Sequence, residues 1–411
     1  MSRVPLKHLV DVNQRSLAED TGPDQLIHYI DIGSVGTGLL VDEPKSMPFG
    51  EAPSRARRLV RDGDTIVSTV RTYLRAVWPV RGRTEELVVS TGFAVLTPRP
   101  ELDPRYLGWM AQSDPFVDAI VARSVGVSYP AINPSEIGEL RVDLPSLRLQ
   151  RAIADYLDTE TARIDALIAK KHRLVDAVRI RLAVFRHACV TAVDRHERRD
   201  AAWLGTVPRT WDVASLRRVA RLHMGTTFPH EFQGKESGDL PVVKVGDLVR
   251  TDATGVLQSA GNWIDASTAQ HLKARMVPAR SVLYARVGAA MLLNPRAINP
   301  WACMLDDNVR GLEFHGVLPE FGLEVMRLLD LGELTNPGPV PSIGEEQVMS
   351  VQFPVPPIEQ QQQIVETIRR TSERESLLRA SLQSQIALLR EHQQALVTAA
   401  VTGELTIPGV A

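Results

Sequence analysis

From Leu147 to Thr191 the chain contains neither Gly nor Pro. Its apolar positions there return every three or four residues: Ile153, Leu157, Ile164, Leu167/Ile168, Leu174/Val175, Val178, Leu182, Phe185 and Cys189. The pattern comes back over Ile358–Thr402, with Ile364, Ile368, Leu378, Leu382, Ile386, Leu389, Leu396 and Ala400. Such spacing places the apolar groups on one face of an α-helix. Pro145 and Pro356-Pro357 stand just before the two starts, and Gly403 just after the second end, where helix boundaries favour them. Each stretch predicts a helix of about 40 residues, roughly 60 Å long at 1.5 Å per residue. A solitary amphipathic helix of that length leaves its stripe in water and needs a partner. The matching partner is the other stretch. Ile153, Leu157, Leu167, Leu174 and Val178 are then expected to face Ile364, Ile368, Leu378, Leu382 and Leu389.

The regions ahead of these helices, about 6–147 and 213–355, have a different texture. Short β-branched runs are broken by Gly and Pro: Thr65-Ile-Val-Ser-Thr-Val70, Leu87-Val-Val, Phe93-Ala-Val-Leu96 and Ser281-Val-Leu-Tyr284. Their length and flanks predict strands. Helical stretches such as Pro104–Ala111 and Pro319–Leu329 intervene, so each region reads as a mixed α+β globule.

Globule and helix occur twice because the chain is a tandem repeat. At an offset of 211 residues, Pro130 and Ile132 fall on Pro341 and Ile343, and Pro145, Gln150 and Ile153 on Pro356, Gln361 and Ile364. Arg163, Leu167, Ala169 and Arg179 meet Arg374, Leu378, Ala380 and Arg390, while Ala188, Val190 and Thr191 meet Ala399, Val401 and Thr402. These twelve identities over positions 130–191 compare with roughly four expected from composition alone. The front halves agree more loosely, as in Tyr29-Ile-Asp-Ile-Gly33 against Val242-Val-Lys-Val-Gly246.

Bulk composition is that of an ordinary globular protein, 44% hydrophobic and 23% charged over 411 residues, a length suited to two or three domains. No apolar run approaches the roughly 18 residues that cross a bilayer. The opening Met1-Ser-Arg-Val-Pro-Leu-Lys-His lacks the apolar centre of a secretory signal. Cys189 and Cys303 are the only cysteines and have no zinc or disulfide spacing. A reduced, cytoplasmic protein without membrane or metal partners is expected. The net charge of −2 argues against nucleic acid, but its distribution does not. Residues 51–83 hold eight arginines against three acids, and residues 271–300 hold five basic groups against none, so each is locally +5. Both basic stretches fall at the same place in the repeat, and phosphate neutralisation needs only local charge.

The order and doubling of these features resemble the specificity subunits of type I restriction–modification enzymes. The junction pattern of Pro, an apolar residue, Gln and Ile appears as Pro145-Ser-Leu147-Arg-Leu-Gln150-Arg-Ala-Ile153 and as Pro356-Pro357-Ile358-Glu359-Gln360-Gln361-Gln-Gln-Ile364. The second globule opens with Leu204-Gly205-Thr-Val-Pro208-Arg-Thr-Trp211, and the chain closes near Ala399-Ala-Val-Thr-Gly403-Glu-Leu, also in the manner of that family. The first copy departs from the pattern at Leu149, where the family has an acidic residue, and lacks the Gly-x-x-Pro-x-x-Trp lead-in. The resemblance implies two target-recognition domains, 1–146 and 201–356, each reading half of a bipartite site in double-stranded DNA. It implies spacer helices within 147–200 and 357–411 that pair as an antiparallel coiled coil with a pseudo-twofold internal repeat. Two modification (methyltransferase) subunits would dock around those helices, with restriction/translocase subunits joining in the full complex. S-adenosylmethionine would be held by the methyltransferase partner, with no cofactor on this chain.

Motif chemistry agrees with a non-catalytic role. An adenine methyltransferase needs an Asn/Asp-Pro-Pro-aromatic loop for the flipped base. Asn133-Pro134-Ser, Asn294-Pro295-Arg, Asn299-Pro300-Trp and Asn336-Pro337-Gly all lack the second Pro. There is no Gly-x-x-x-x-Gly-Lys-Ser/Thr phosphate cradle, and Gly33-Ser-Val-Gly36-Thr-Gly38 reads as a turn rather than a dinucleotide site. DNA reading needs only Arg, Lys, Asn, Gln and aromatic groups. In the first globule the candidates are Arg71, Tyr73 and Arg75, beside the polar loop of Arg123, Ser128 and Tyr129. In the second they are Lys244, Arg286, Asn294 and Arg296. The competing reading is a coiled-coil scaffold whose globules bind protein or carbohydrate without DNA.

Overall fold

The computed structural model describes residues 2–82, 84–192, 197–336 and 338–408; Arg83 of the first basic stretch and Pro337 lie outside them. The chain divides into two compact units, Met1–Lys171 with Ser384–Ala411, and His172–Gln383. The two long helices, Leu147–Thr191 and Ile358–Thr402, each give one half to each unit.

The units repeat one topology. In the first, Val10–Val12, Phe93–Pro98, Thr65–Ser68 and Val77–Pro79 form an antiparallel sheet in that order. A second sheet runs Lys45–Pro48, Leu26–Ile30, Leu87–Ser90, Ala56–Leu59, and its central pair is parallel. The second unit builds the same two sheets. The first is Ala220–Met224, Val309–Phe314, Val282–Ala285, Arg296–Ile298; the second is Asn262–Ile264, Leu240–Val243, Cys303–Leu305, Met276–Val277. A two-stranded ribbon completes each unit, Ser2–Pro5 with Arg141–Leu144 and Asp212–Ser215 with Gln352–Val355. Ahead of this ribbon the second unit has a further pair of strands, Arg198–Asp200 with Thr206–Pro208, that has no counterpart among the described residues of the first.

Strand residues alternate between two packing partners, which explains why the runs are apolar throughout instead of alternating with polar residues. Val67, Ala94 and Leu96 face helix Pro104–Gln112 through Tyr106, Leu107 and Met110. Ile66, Phe93 and Val95 face the other sheet through Ile30 and Val89. The helix itself begins with Pro104 in its first turn, and the Asp103 carboxylate accepts from the backbone N–H of Arg105 and Tyr106 at 3.0 and 3.2 Å.

In each unit the halves of the long helices run antiparallel. The first unit buries Ile153 and Leu157 with Val397, Ala400 and Val401, and packs Ile164 and Ile168 on Ile386 and Leu389. Gln393 Nε2 donates to Asp165 Oδ1 at 3.1 Å, and Lys171 Nζ to Gln385 Oε1. The second unit buries Val178, Leu182, Ile368 and Leu382, with Ile364 half-buried against the globule core. Its polar links are Arg181 with Glu375, and Arg186 Nη2 to Ser372 Oγ at 3.0 Å. Ser372 and Glu375 are themselves buried, a polar layer of the kind that fixes register in paired helices. Three of the expected pairing residues lie off the seam: Leu167, Leu174 and Leu378 are 46%, 53% and 42% exposed. A seven-residue seam takes Ile168, Val175 and Leu182 on the first helix and Glu375, Leu382 and Leu389 on the second. In the doublets Leu167-Ile168 and Leu174-Val175 only the second member fits it, and Leu378 falls between Glu375 and Leu382.

Beside the apolar packing of the helix on the globule core, each copy places one buried amide at the junction of globule and helix. Gln150 Oε1 accepts from Asp103 N at 2.7 Å, while its Nε2 donates to Glu101 O and Pro145 O at 3.0 and 2.9 Å. Gln361 Oε1 accepts from Leu318 N at 2.7 Å, and its Nε2 donates to Pro356 O and Gly316 O at 2.8 and 3.3 Å. Both side chains are fully buried. Gln150→Ala or Gln361→Ala strands three backbone groups in a dry site, at about 1–3 kcal/mol for each that finds no water. Chemical denaturation should show at least about 2 kcal/mol of destabilisation for either variant. Leu174→Ala, at an exposed position, should stay within about 0.5 kcal/mol of the parent.

Candidate nucleic-acid interface

In the first unit the central strand Thr65–Ser68 runs out into a one-turn 3-10 helix, Thr72–Leu74, bracketed by two arginines. Arg71 and Arg75 both adopt left-handed backbone, φ +48° and +56°. Non-glycine residues rarely do so, and such positions concentrate at functional sites. The surrounding bonds enforce the turn. Arg71 N donates to Pro130 O at 2.7 Å, Ile132 N to Thr69 O at 2.9 Å, and Thr72 Oγ1 meets Ser124 Oγ at 2.8 Å. The 123–131 loop, folded back by the Val125–Ala131 bridge, is thus held against the turn.

The two arginines have different tasks. The Arg71 guanidinium is exposed and lies 4.6 Å from the centroid of the Tyr129 ring. Arg75 is committed inward: its Nη2 donates to Asp114 Oδ1 at 2.6 Å and to Gln112 O at 3.1 Å. Gln394 of the second long helix donates to the same two acceptors, at 2.9 and 3.0 Å. Arg75 is therefore a fastener between the turn and the helix, and its charge is spent on Asp114. Tyr73 and Tyr129 stand 53% and 65% exposed beside Arg71, with Leu74, Val125 and Val127 also in solvent. Ser128 is exposed in the same loop, and exposed Arg123 donates to Ala119 O at 3.1 Å.

The second unit builds the same turn with other residues. Gly288 N donates to Pro341 O at 2.9 Å and Ile343 N to Arg286 O at 3.0 Å, the counterparts of the Arg71 and Thr69 bonds. Gly288, φ +86°, therefore occupies the place of Arg71, and Arg286 that of Thr69. Asn294 caps the 3-10 helix Ala289–Leu293 in left-handed conformation, as Arg75 caps its own. It also fastens the turn: Asn294 Nδ2 donates to Asp330 Oδ1 at 2.8 Å and its Oδ1 accepts from Leu331 N at 3.1 Å. At the tip stand exposed Leu292 and Leu293.

All four second-unit candidates, Asn294 included, are at least partly buried in the fold. Arg296 is 4% exposed, with its Nη groups donating to Pro295 O and Asn294 Oδ1 at 2.9 and 3.1 Å and its Cζ 5.8 Å from the Tyr284 ring. Burial lowers its pKa to about 10. Arg286 is half-buried; burial first, and then the charge of Arg286, hold the neighbouring Arg310 below its ordinary value. Lys244 follows strand Leu240–Val243 on the other sheet, and its Nζ donates to Gln233 Oε1 at 2.8 Å.

The +5 stretches are likewise partly spent at home. Asp64, fully buried, takes Arg15 at 2.7 Å and Arg61 at 3.6 Å; Arg81 pairs with Asp158 at 3.1 Å and Arg280 with Glu320 at 2.9 Å. A linear count of charge therefore overstates the field that reaches solvent. Among the described residues, no group of three or more His, Cys, Asp or Glu is placed to hold a metal ion, and no helix is long and apolar enough to cross a membrane. The exposed apolar tips, Leu74 and Leu292-Leu293, were not among the sequence candidates, because nothing in the linear sequence separates them from core leucines.

Comparison with known proteins supplies three findings. Residues 208–387 match the family model of the type I restriction modification DNA specificity domain. The Type I restriction enzyme MjaIX specificity subunit of Methanocaldococcus jannaschii is 20% identical over 212 residues, 50% of this chain and 46% of that protein. The matched stretch thus spans less than half of that relative. Two solved structures share the fold. A chain from a structure of complex assembly and conformational transition of the type I R-M system aligns with a TM-score of 0.74 at 21% identity, over 98% of both chains. The HsdS subunit from Thermoanaerobacter tengcongensis aligns with a TM-score of 0.50 at 22% identity, over 98% of this chain and 97% of that one.

The division of labour at the first turn has a stability signature. Arg75→Ala removes two bonds at a partly exposed pair and should cost about 1 kcal/mol, read as a lower melting temperature. Arg71→Gly, which gives the first copy the residue of the second, should cost nothing, because glycine enters left-handed backbone freely. A melting temperature insensitive to Arg75→Ala contradicts the fastener role.

Proposed function

We propose, from the match of residues 208–387 to the type I restriction modification DNA specificity domain, that the chain is the sequence-reading subunit of a type I restriction–modification complex. The observation that carries this reading is the duplication: two like units each present a tip of matching construction, with the long helices paired inside both. Two dissimilar tips on one repeated frame suit a bipartite, asymmetric site in double-stranded DNA. Phosphate contacts would position each unit and base contacts at the tips would specify it. Linking two weak readers raises the effective concentration of the second once the first has bound.

The paired helices serve as the spacer. Exposed apolar groups off the seam, Leu174, Ile180 and Val184 on the first helix and Leu377, Leu378 and Leu388 on the second, suit docking of two methyltransferase subunits. Methyl transfer, with S-adenosylmethionine, belongs to those partners, and restriction/translocase subunits join the full complex in the cytoplasm. This chain contributes binding and spacing, without a catalytic step. The scaffold reading without DNA is not favoured, since residues 208–387 match a DNA specificity domain.

Deleting the gene and mapping methylated bases across the genome tests the proposal. One bipartite, asymmetric motif should disappear, and return on complementation. An unchanged methylation map overturns it. On a duplex carrying that motif, adding one base pair to the gap turns one half-site by about 35° relative to the other. Affinity of the reconstituted complex should fall about ten-fold or more, since the spacer cannot follow the rotation without losing contacts each worth about 1–3 kcal/mol.

A further inference from the structure

We infer that Arg71 reads a guanine in the half-site of the first unit, with Tyr129 as the residue that positions it; this rests on the DNA-reading role proposed above. Among the described arginines of its basic stretch Arg71 alone combines left-handed backbone, exposure and a ring partner; Arg57 also lies over a ring, Phe49 at 4.8 Å, but is half-buried and its Nε donates to Ser54 O at 3.2 Å. The Arg71 backbone is pinned at φ +48° by the bond from its N–H to Pro130 O at 2.7 Å, and Leu74 N donates to its carbonyl at 2.9 Å. Its guanidinium lies over the Tyr129 ring at 4.6 Å. Among the described residues no carboxylate pairs with it, whereas Arg61, Arg75 and Arg81 are all paired.

A guanidinium stacked on an aromatic face is oriented before the ligand arrives, and its donor edge stays free in the plane of the stack. That edge matches the O6 and N7 acceptors of guanine, the commonest specific contact in the major groove. The ordering cost is met within the folded protein, so less of the contact energy is lost on binding. A phosphate contact would need none of this, because it requires charge at roughly the right distance and little orientation. Tyr73 is a second exposed ring on the same turn. In the second unit the equivalent position is Gly288 and the tip is Leu292-Leu293, so the corresponding turn has no arginine for a guanine there. The two half-sites are read by different chemistry at one structural position.

The test uses the full chain assembled with its modification subunits, and duplexes of the motif found by methylation mapping. Guanines in each half-site are replaced one at a time by 7-deazaguanine, which lacks the N7 acceptor. For the parent complex, one replacement in the first unit's half-site should weaken binding about ten-fold. The same replacement should have no further effect on Arg71→Ala, which starts from the weakened affinity. Arg71→Lys keeps the charge but should not restore the discrimination. Tyr129→Ala should lose most of it while Tyr129→Phe retains it, and a merely structural role for the ring would not produce that split. Melting temperatures of all four variants should match the parent, because both side chains are exposed.

The inference is overturned if Arg71→Ala weakens all duplexes equally and lowers the salt slope by about one, the mark of a phosphate contact. It is overturned equally if no guanine couples to residue 71 while the complex still recognises its motif. Failure of the parent complex to bind any duplex overturns the specificity reading itself, and this inference with it.

Discussion

Each globule is seated on its long helix by apolar packing, Ile153 and Leu157 in the first unit and Ile368 in the second, together with a single buried amide. Gln150 and Gln361 each tie the first turn of a long helix to the loop ahead of helix Pro104–Gln112 or Pro319–Leu328. An amide can donate and accept at once, and here it satisfies three backbone groups that water cannot reach. A carboxylate has no donor and an aliphatic side chain has neither function. A globule can therefore be rigid relative to the helix half in its own unit.

On that frame the tips are free to diverge. The turn is held in one copy by Arg75 on Asp114 and in the other by Asn294 on Asp330, two solutions to one mechanical problem. Asn tolerates left-handed backbone more readily than Arg, so the first copy carries more local strain, offset by a charged bond. What lies between the fasteners differs completely: a stacked arginine and exposed tyrosine in one unit, a glycine and two leucines in the other. Common mechanics beneath different chemistry lets one architecture carry two unrelated tips.

The polar layer in the second unit adds a constraint of another kind. Glu375 and Ser372 sit on the helix seam, answered by Arg181 and Arg186, and Arg186 also meets Glu324 at 3.0 Å. Burial holds the Arg186 guanidinium below its ordinary value even with Glu324 beside it. Such groups add little net stability, but a shifted register would leave buried charges unpaired. The seam is thereby tied to one alignment of the helices within that unit.

The sequence by itself determined the long helices, the mixed α+β globules and the duplication, because periodicity and repeat offset are properties of the chain read linearly. It also singled out the Arg71–Arg75 turn and the loop ending at Tyr129, because charge and aromatic residues beside a strand end are visible in one dimension. Only the tertiary structure decided which members of each doublet pack, since Leu167 and Ile168 are equally apolar and only the seam geometry separates them. Only it could show that Arg75 and Arg296 serve the interior while Arg71 faces solvent, and that Gly288 rather than Arg286 stands where Arg71 does. The physical reason is common to these cases. A side chain's role is set by the partners that the fold brings to it, Asp114, Tyr284 or Tyr129, and these lie far from it along the chain.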